Sequence, residues 1–435
     1  MAFEHMTTPS RWTGIRFALR RSNYRLFVAG QLVSLLGTWT RSVAQGWLVF
    51  RLTGSAVWLG VIAACQQLPV VVLASLGGSL ADRHQRRTIL VATQSASMML
   101  SFALAGLALS GTVQLSHMIV LAVLAGAVAA VDIPTRQSFI VELVGREGLM
   151  TAVAINSSMA MCAASLGPVL AGYGVQALGE GWCFFADGVS FAAVIAGLLM
   201  MRGLPAPATA RSTESLRARI AVGFRFARNH SRVRNLLGLL AITAFAGLPC
   251  ATLLPMFAAE VFHGDARALG GLSAAIGLGA LCGAVVLGLR PSSRGADRWV
   301  GGACGMLGAC LVGFALSHRL WLSIVLLVPI GAATMIQVSA TNTLIQIATP
   351  DALRGRVMAI WAMILMGFAP LGGLLAGWVA SRAAPGIPLA IGGVVCVLAA
   401  LRFMRWSQVA RAEQTEVASQ DTDSASREGT RETPH

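Results

Sequence analysis

Four ionisable side chains fall inside long apolar runs of this chain: Arg41, Asp132, Arg136 and Asp187. A charge near a bilayer centre costs about 2.5–3.5 kcal/mol on insertion scales, so each needs a functional or structural reason. Arg41 and Gln45 stand four residues apart, which on a helix puts a guanidinium and an amide on one face. Facing a cavity, they would bind an anionic or polar group of a substrate. The competing expectation is a structural ion pair between Arg41 and a carboxylate. Asp187 is the first candidate proton carrier, because a carboxyl held away from water can take up and release a proton as its surroundings change. A bond to Arg41 or to a backbone group would instead make Asp187 structural. Asp132 and Arg136 are again four apart and can pair on one face. They form the second proton-site candidate and its partner. Asn156, Gln337, Asn342 and Gln346 are expected to add hydrogen bonds to a cavity ligand, or to bridge helices.

Other chemistries are excluded by what the chain lacks. All 33 basic residues are arginine. Without lysine there is no phosphate-binding P-loop and no pyridoxal Schiff base, so neither bound ATP nor that cofactor is expected. The eight cysteines are scattered through apolar runs with no Cys-x-x-Cys pair, and the seven histidines lack spaced partners. No metal site is indicated. The chain reads as a non-enzyme.

The elements that must position these residues are membrane helices. The chain of 435 residues is 56% hydrophobic and 12% charged, with mean hydropathy +0.70. Soluble domains carry about 25% charged residues, so this composition leaves too little polar surface for a globule in water. The net charge of +15 would suggest nucleic acid in a soluble protein. Here the arginines sit between apolar runs, where membrane orientation accounts for them and no nucleic-acid partner is expected. Twelve spans are expected, at about 26–50, 57–80, 88–109, 115–140, 150–176, 182–202, 234–262, 268–289, 298–317, 320–347, 356–381 and 387–404. Residues 1–25 would form a basic tail, 203–233 a polar linker with an amphipathic stretch near 215–229, and 405–435 a disordered tail. Only Arg51, Arg267, Arg319 and Arg382 fall at one set of span ends, and Arg41 lies within a span. The remaining arginines gather at the other ends, which places both termini on the cytoplasmic side of a multi-pass membrane protein.

The two groups of six spans repeat. Leu166-Gly167-Pro168-Val169-Leu170-Ala171-Gly172 and Leu371-Gly372-Gly373-Leu374-Leu375-Ala376-Gly377 align, and the loops before them align at the same offset. The expected architecture is therefore all-α, two pseudo-symmetric six-helix bundles at 26–202 and 234–404.

One hydrophilic joint separates the second and third spans. Gly78-Ser79-Leu80-Ala81-Asp82-Arg83-His84-Gln85-Arg86-Arg87 resembles the signature loop of the major facilitator superfamily, with Gln85 where that family usually has Gly. Ala44-Gln45-Gly46-Trp47, Asp132-Ile133-Pro134-Thr135-Arg136 and Pro350-Asp351-Ala352-Leu353-Arg354-Gly355-Arg356 add to the likeness, which points to the branch of siderophore and drug exporters. That resemblance implies a proton-driven exporter working by alternating access. It would act as a monomer in the bilayer on a small amphiphilic molecule; uptake by symport and a non-transporting lipid-handling role are the alternatives. It also implies that Asp82 of the joint caps the eleventh span, and that an Arg of the joint pairs with a carboxylate at the end of the fourth. Here the pair would be Arg86 or Arg87 with Glu142 or Asp132. Gly167, Pro168 and Gly172 resemble the fifth-helix motif of exporting members.

Overall fold

The computed structural model describes residues 21–203, 216–289 and 295–429, without side-chain detail at 74–76, 79, 81–83, 146–147, 216–221 and 410–429. The parts of the expected tails and linker at 1–20, 204–215 and 430–435 lie outside the described residues. Among those described, the chain is helical with no strand. Six helices form the first half: α1 (Ser22–Thr53), α2 (Ala56–Arg83), α3 (Arg86–Leu109), α4 (Leu115–Gly145), α5 (Gly148–Leu178) and α6 (Glu180–Met200). The amphipathic α7 (Leu216–Asn229) follows, at the stretch expected from sequence. The second half comprises α8 (Ser231–Val261), α9 (Ala266–Gly288), α10 (Ala296–Leu316), α11 (Leu320–Ala348), α12 (Asp351–Ala380) and α13 (Ile387–Gly429).

Eleven of these helices are long and apolar enough to cross a membrane. Outside that count are α7, which is 14 residues long, and α1. Helix α1 is 32 residues long but carries Gln31, Thr38, Arg41 and Gln45 along its length, and those residues turn inward to a cavity bordered by α3 and α4. With α1, the described helices make the twelve expected spans. The two halves use the same pairings. In the first, α2 meets α4 where Gly77 abuts the Ala130 carbonyl, and α3 meets α6 where Gly188 receives the Phe102 ring. In the second, α9 meets α11 where Gly279 abuts the Val328 carbonyl, and α10 meets α13 where Gly308 and Gly393 face each other. In lipid, helix contact depends on close van der Waals packing, and small residues allow it.

The apolar core divides into three clusters. One joins both halves at the ends away from the arginines, drawing on Leu48, Leu59, Leu253, Phe257, Leu269 and Ala376 among others. The other two, around Phe139 and Leu198 and around Leu236 and Leu344, each belong to one half and lie toward the arginine-rich ends. Among the described residues, the apolar cluster shared by the halves lies at that one end. Along that seam a Cβ on Gly60 of α2 would lie 2.7 Å from the Gly373 carbonyl oxygen of α12, and one on Gly172 of α5 would lie 2.9 Å from the Ala266 carbonyl oxygen of α9. At the other end Gly78 faces open space.

Three features depart from the sequence expectation. Helices α4 and α5 are not separated by a loop; the chain turns sharply at Gly145, where φ is 71° and ψ 179°. Only glycine occupies that region freely, and a side chain there costs about 1–3 kcal/mol. Nothing lies within 4 Å of a Cβ built on Gly145, so the penalty is purely conformational. Gly145→Ala is expected to lower stability by about that amount, read as a fall in the thermal midpoint of the purified protein. Second, α8 contains two π-helical turns, Thr243–Gly247 and Phe257–Val261, which hydropathy does not reveal. Third, the backbone of α13 continues to Gly429, where disorder is expected after residue 404. Ala, Glu, Gln and Arg are good helix formers, and extending a formed helix avoids the cost of nucleation.

Candidate functional site

The site begins where α1 and α6 come close. A Cβ on Gly37 would stand 2.5 Å from Ser190 Oγ and 3.0 Å from Asp187 Oδ1. That approach brings Asp187 within reach of Arg41, one turn further along α1. Arg41 Nε lies 3.1 Å from Asp187 Oδ2, and the carboxylate is fully buried. Ser101 Oγ of α3 donates to the same oxygen at 2.7 Å. Arg41 Nη1 donates to Gln45 Oε1 at 2.8 Å. The guanidinium therefore serves both the amide and the carboxylate considered from sequence. Ser101 and Gln45 add hydrogen bonds to the pair, while Asp187 Oδ1 is buried and meets no hydrogen-bond partner among the described residues, so part of the lost hydration stays uncompensated.

A second pair lies nearer the arginine-rich end. Arg136 Nη2 lies 2.8 Å from Asp132 Oδ2, with the spacing of one helical turn on α4. Thr93 Oγ1 and Gln94 Nε2 of α3 each donate to Asp132 Oδ1 at 2.8 Å. Arg41, Asp132 and Arg136 border one cavity of about 220 Å³ inside the first half. Gln31, Thr38, Gln45, Gln66, Gln94 and Ser97 line it as well. The Gln31 and Gln94 side-chain oxygens are buried and find no hydrogen-bond partner within the protein. Leaving such groups unmade costs about 1–3 kcal/mol each, so these carbonyls are acceptors held ready for a donor.

A different cavity, of about 400 Å³, lies between the halves. Its walls are mostly apolar: Trp39, Ile62, Pro168, Leu254, Leu269 and Ile276 contribute. Gln45 and Gln66 border both spaces. Taken together the two fall within the range of about 300–1,000 Å³ usual for small-molecule sites. One compartment offers charge and amides, the other a hydrocarbon surface.

The remaining sequence candidates are distributed as follows. Gln337 is buried inside the second half, where its Nε2 donates to Thr243 Oγ1 at 2.6 Å on the first π-helical turn. Asn342 Oδ1 accepts from Gln346 Nε2 at 2.6 Å along α11. Neither they nor Asn156 border either cavity. Gly167 accommodates Trp39: a Cβ there would lie 2.5 Å from the Trp39 Cβ, and Thr40 Oγ1 donates to the Gly167 carbonyl at 3.2 Å. Pro168 lines the cavity between the halves and Gly172 packs on α9, so the fifth-helix motif meets α1 through Gly167 and α9 through Gly172.

At the joint, Arg86 Nη1 meets Glu142 Oε2 at 3.1 Å, which selects one pairing from the alternatives. Arg87 Nη2 instead donates to the Leu199 carbonyl at 2.7 Å. The side chains of Asp82 and Arg83 lie outside those described. Gln85 has φ −61° and ψ 118°, an ordinary extended conformation, so this joint has no need of glycine at that position. Sequence reasoning missed Gln31, Gln66, Gln94, Thr93 and Ser101. The available signal was a polar residue inside an apolar run, the same signal that singled out Arg41.

Comparison with known proteins extends this description. The staphyloferrin A transporter of Staphylococcus aureus is 25% identical over 354 residues, 81% of this chain and 88% of the relative. The multidrug efflux pump Tap of Mycolicibacterium fortuitum is 27% identical over 395 residues, covering 87% and 96%. The enterobactin exporter EntS of Escherichia coli is 29% identical over 380 residues, covering 85% and 86%. Among solved structures, the nucleoside transporter NupG superposes with TM-score 0.68 at 14% identity, over 88% of this chain and 98% of that one. A bacterial homologue of the lysosomal transporter Spinster gives TM-score 0.67 at 15% identity, over 89% and 97%. Those two likenesses concern the fold, which is that of the major facilitator superfamily. Residues 15–428, spanning both halves and the helix between them, match the transmembrane secretion effector family, and the chain therefore belongs to that family of membrane transporters.

Proposed function

We propose that this transporter is a proton-coupled exporter of a small amphiphilic molecule, working by alternating access between two rocking units, 26–202 and 234–404. The single observation that carries this reading is the junction at Gln45 and Gln66, where a polar, ion-paired cavity meets an apolar one. A molecule with one polar or anionic group and a hydrocarbon body satisfies both compartments at once. The relatives named for staphyloferrin A, enterobactin and multidrug efflux favour outward movement of metal chelators or drug-like compounds. The positive-inside rule puts the arginine-rich end and both termini in the cytoplasm of the bacterial inner membrane. With the opposite end sealed and this end open, the described conformation would accept cytoplasmic substrate. Asp187 and Asp132 are the proton-carrying candidates, because release of either carboxylate from its arginine couples protonation to the shape of the cavity. One proton crossing 100 mV supplies about 2.3 kcal/mol, enough for a gradient of roughly 50-fold in a neutral substrate.

The test uses inverted membrane vesicles with an acidic lumen, screened with metal-chelating and lipophilic drug-like compounds. Export predicts accumulation that collapses when the proton gradient is dissipated; uptake by symport predicts none. Gln45→Leu and Gln66→Leu replace amides at the junction with apolar groups. Each is expected to reduce transport about 10-fold, the effect of losing about 1.4 kcal/mol of polar recognition. Retention of full transport by both variants would argue against the junction as the binding site.

A further inference from the structure

A groove on the membrane-facing side of the first half takes no part in the transport reading above. It lies between α3 and α4 with Leu80 of α2 at one end, is open along its length, has a volume of about 720 Å³ and is almost wholly apolar. Its cause is visible in the sequence. Thr88, Ala92 and Ala96 recur every four residues on α3 and so share one face, and none is large enough to fill the gap to Val128 on α4. Water is a poor occupant. The polar groups in the lining are His84 and Thr88 at the arginine-rich end, with Thr93, whose hydroxyl is already committed to the Leu90 carbonyl and Asp132. A buried water needs two to four polar partners. An empty apolar space of this size would forfeit the dispersion contacts of every side chain around it.

Length identifies what fits. From Thr88 to Leu100 the helix rises about 18 Å, close to the depth of one leaflet, half of a hydrocarbon core about 30 Å thick. The polar end of the groove lies at the arginine-rich end of α3, where His84 and Thr88 are exposed. The inner end meets Leu100, which also lines the polar cavity. Thr93 repeats the connection, since it faces the groove while bonding Asp132 of the cavity. The partition between lipid and polar cavity is therefore one side chain thick at two points.

We propose that this groove seats one acyl chain of a phospholipid from the surrounding bilayer. Its headgroup lies beside His84 and Thr88, and its tail backs Leu100. The bound chain backs the wall of the polar cavity: with it in place, Leu100 and Thr93 are packed on the side away from that cavity. This site does not depend on the substrate or on the direction of transport.

The test is photolabelling of the full-length protein in phosphatidylcholine vesicles containing a phosphatidylcholine with a diazirine near one tail end. Adducts are mapped by peptide mass spectrometry. The expected result is labelling of Leu100 and Val128 of the groove in addition to Leu398 of α13, which is exposed on the other half. Ala96→Phe fills the groove and is expected to lower Leu100 labelling about tenfold, equivalent to about 1.4 kcal/mol of lost affinity, while Leu398 labelling stays constant. Ala92→Leu obstructs the same groove with less bulk and is expected to act in the same direction if the Phe variant fails to fold. Labelling confined to exposed positions away from the groove such as Leu398, or Leu100 labelling unaltered by either variant, overturns the proposal. So does labelling of Leu100 by a diazirine-bearing drug-like amphiphile but not by the phospholipid, which would assign the groove to transported molecules.

Discussion

Arg41→Met is expected to abolish transport and to destabilise the protein by about 3–5 kcal/mol, the usual consequence of removing one partner from a buried ion pair. Asp187 is fully buried, and Arg41 is the cation that it meets among the described residues. Without it, Ser101 remains as a hydrogen-bond donor, which compensates only part of the lost interaction. The informative comparison is the double variant Arg41→Met with Asp187→Leu. It removes both charges, so the stability loss should largely disappear, because an apolar pair of similar volume is often neutral relative to a buried ion pair. Transport should not return if Arg41 binds substrate or Asp187 carries the proton. Thermal unfolding of the purified variants and proton-driven transport in inverted vesicles separate the two effects. Recovery of both stability and transport in the double variant would reduce the pair to a structural element and leave Asp132 as the remaining proton candidate.

The second large effect concerns the seam that closes one end. Gly277 of α9 lies so close to α5 that a Cβ would collide with the Ala164 carbonyl, and a Cβ on Gly377 of α12 would stand 2.5 Å from the Ala56 carbonyl of α2. In each case the obstacle is backbone, which cannot step aside as a flexible side chain would. Gly277→Val and Gly377→Val should therefore disfavour the closed seam by about 1–3 kcal/mol, the usual cost of overpacking. A bias of that size shifts a two-state equilibrium roughly 5–150-fold toward the alternative in which the seam is open. Transport should fall accordingly, because a transporter held in one state completes no cycle. Spin labels at Leu178 and Ile387, exposed on opposite halves near that end, should report longer separations in the variants. Unchanged separations together with full transport would show that the seam is not a moving gate.

The seam also clarifies the aligned motifs of α5 and α12. Gly172 packs on α9 and the aligned Gly377 packs on α2. Each half thus offers one glycine-bearing helix to the other, and the repeat in sequence becomes a two-fold arrangement of contacts. Small residues at these positions have a cause beyond general packing in lipid, namely that the two backbones must meet there.

Much of this protein is legible in its sequence, for one reason: information carried within a helical turn or along a single span is local. Run length predicts the spans, arginine placement predicts which ends group together, and the amphipathic pattern near 215–229 becomes α7. The pairing of Asp132 with Arg136 follows from four-residue spacing alone. Contacts between helices were decided elsewhere. Arg41 and Asp187 meet because Gly37 lets α1 approach α6, and hydropathy is indifferent to which face of a span turns toward which neighbour. For the same reason the sequence could not choose between Arg86 and Arg87 for Glu142, nor place Gln337 against Thr243 rather than in a cavity. Lipid accepts an apolar face in any direction. Only the packed bundle, in which each buried polar group must find a partner or line a cavity, settles where Gln31, Gln66 and Gln94 point and which end of the molecule is shut.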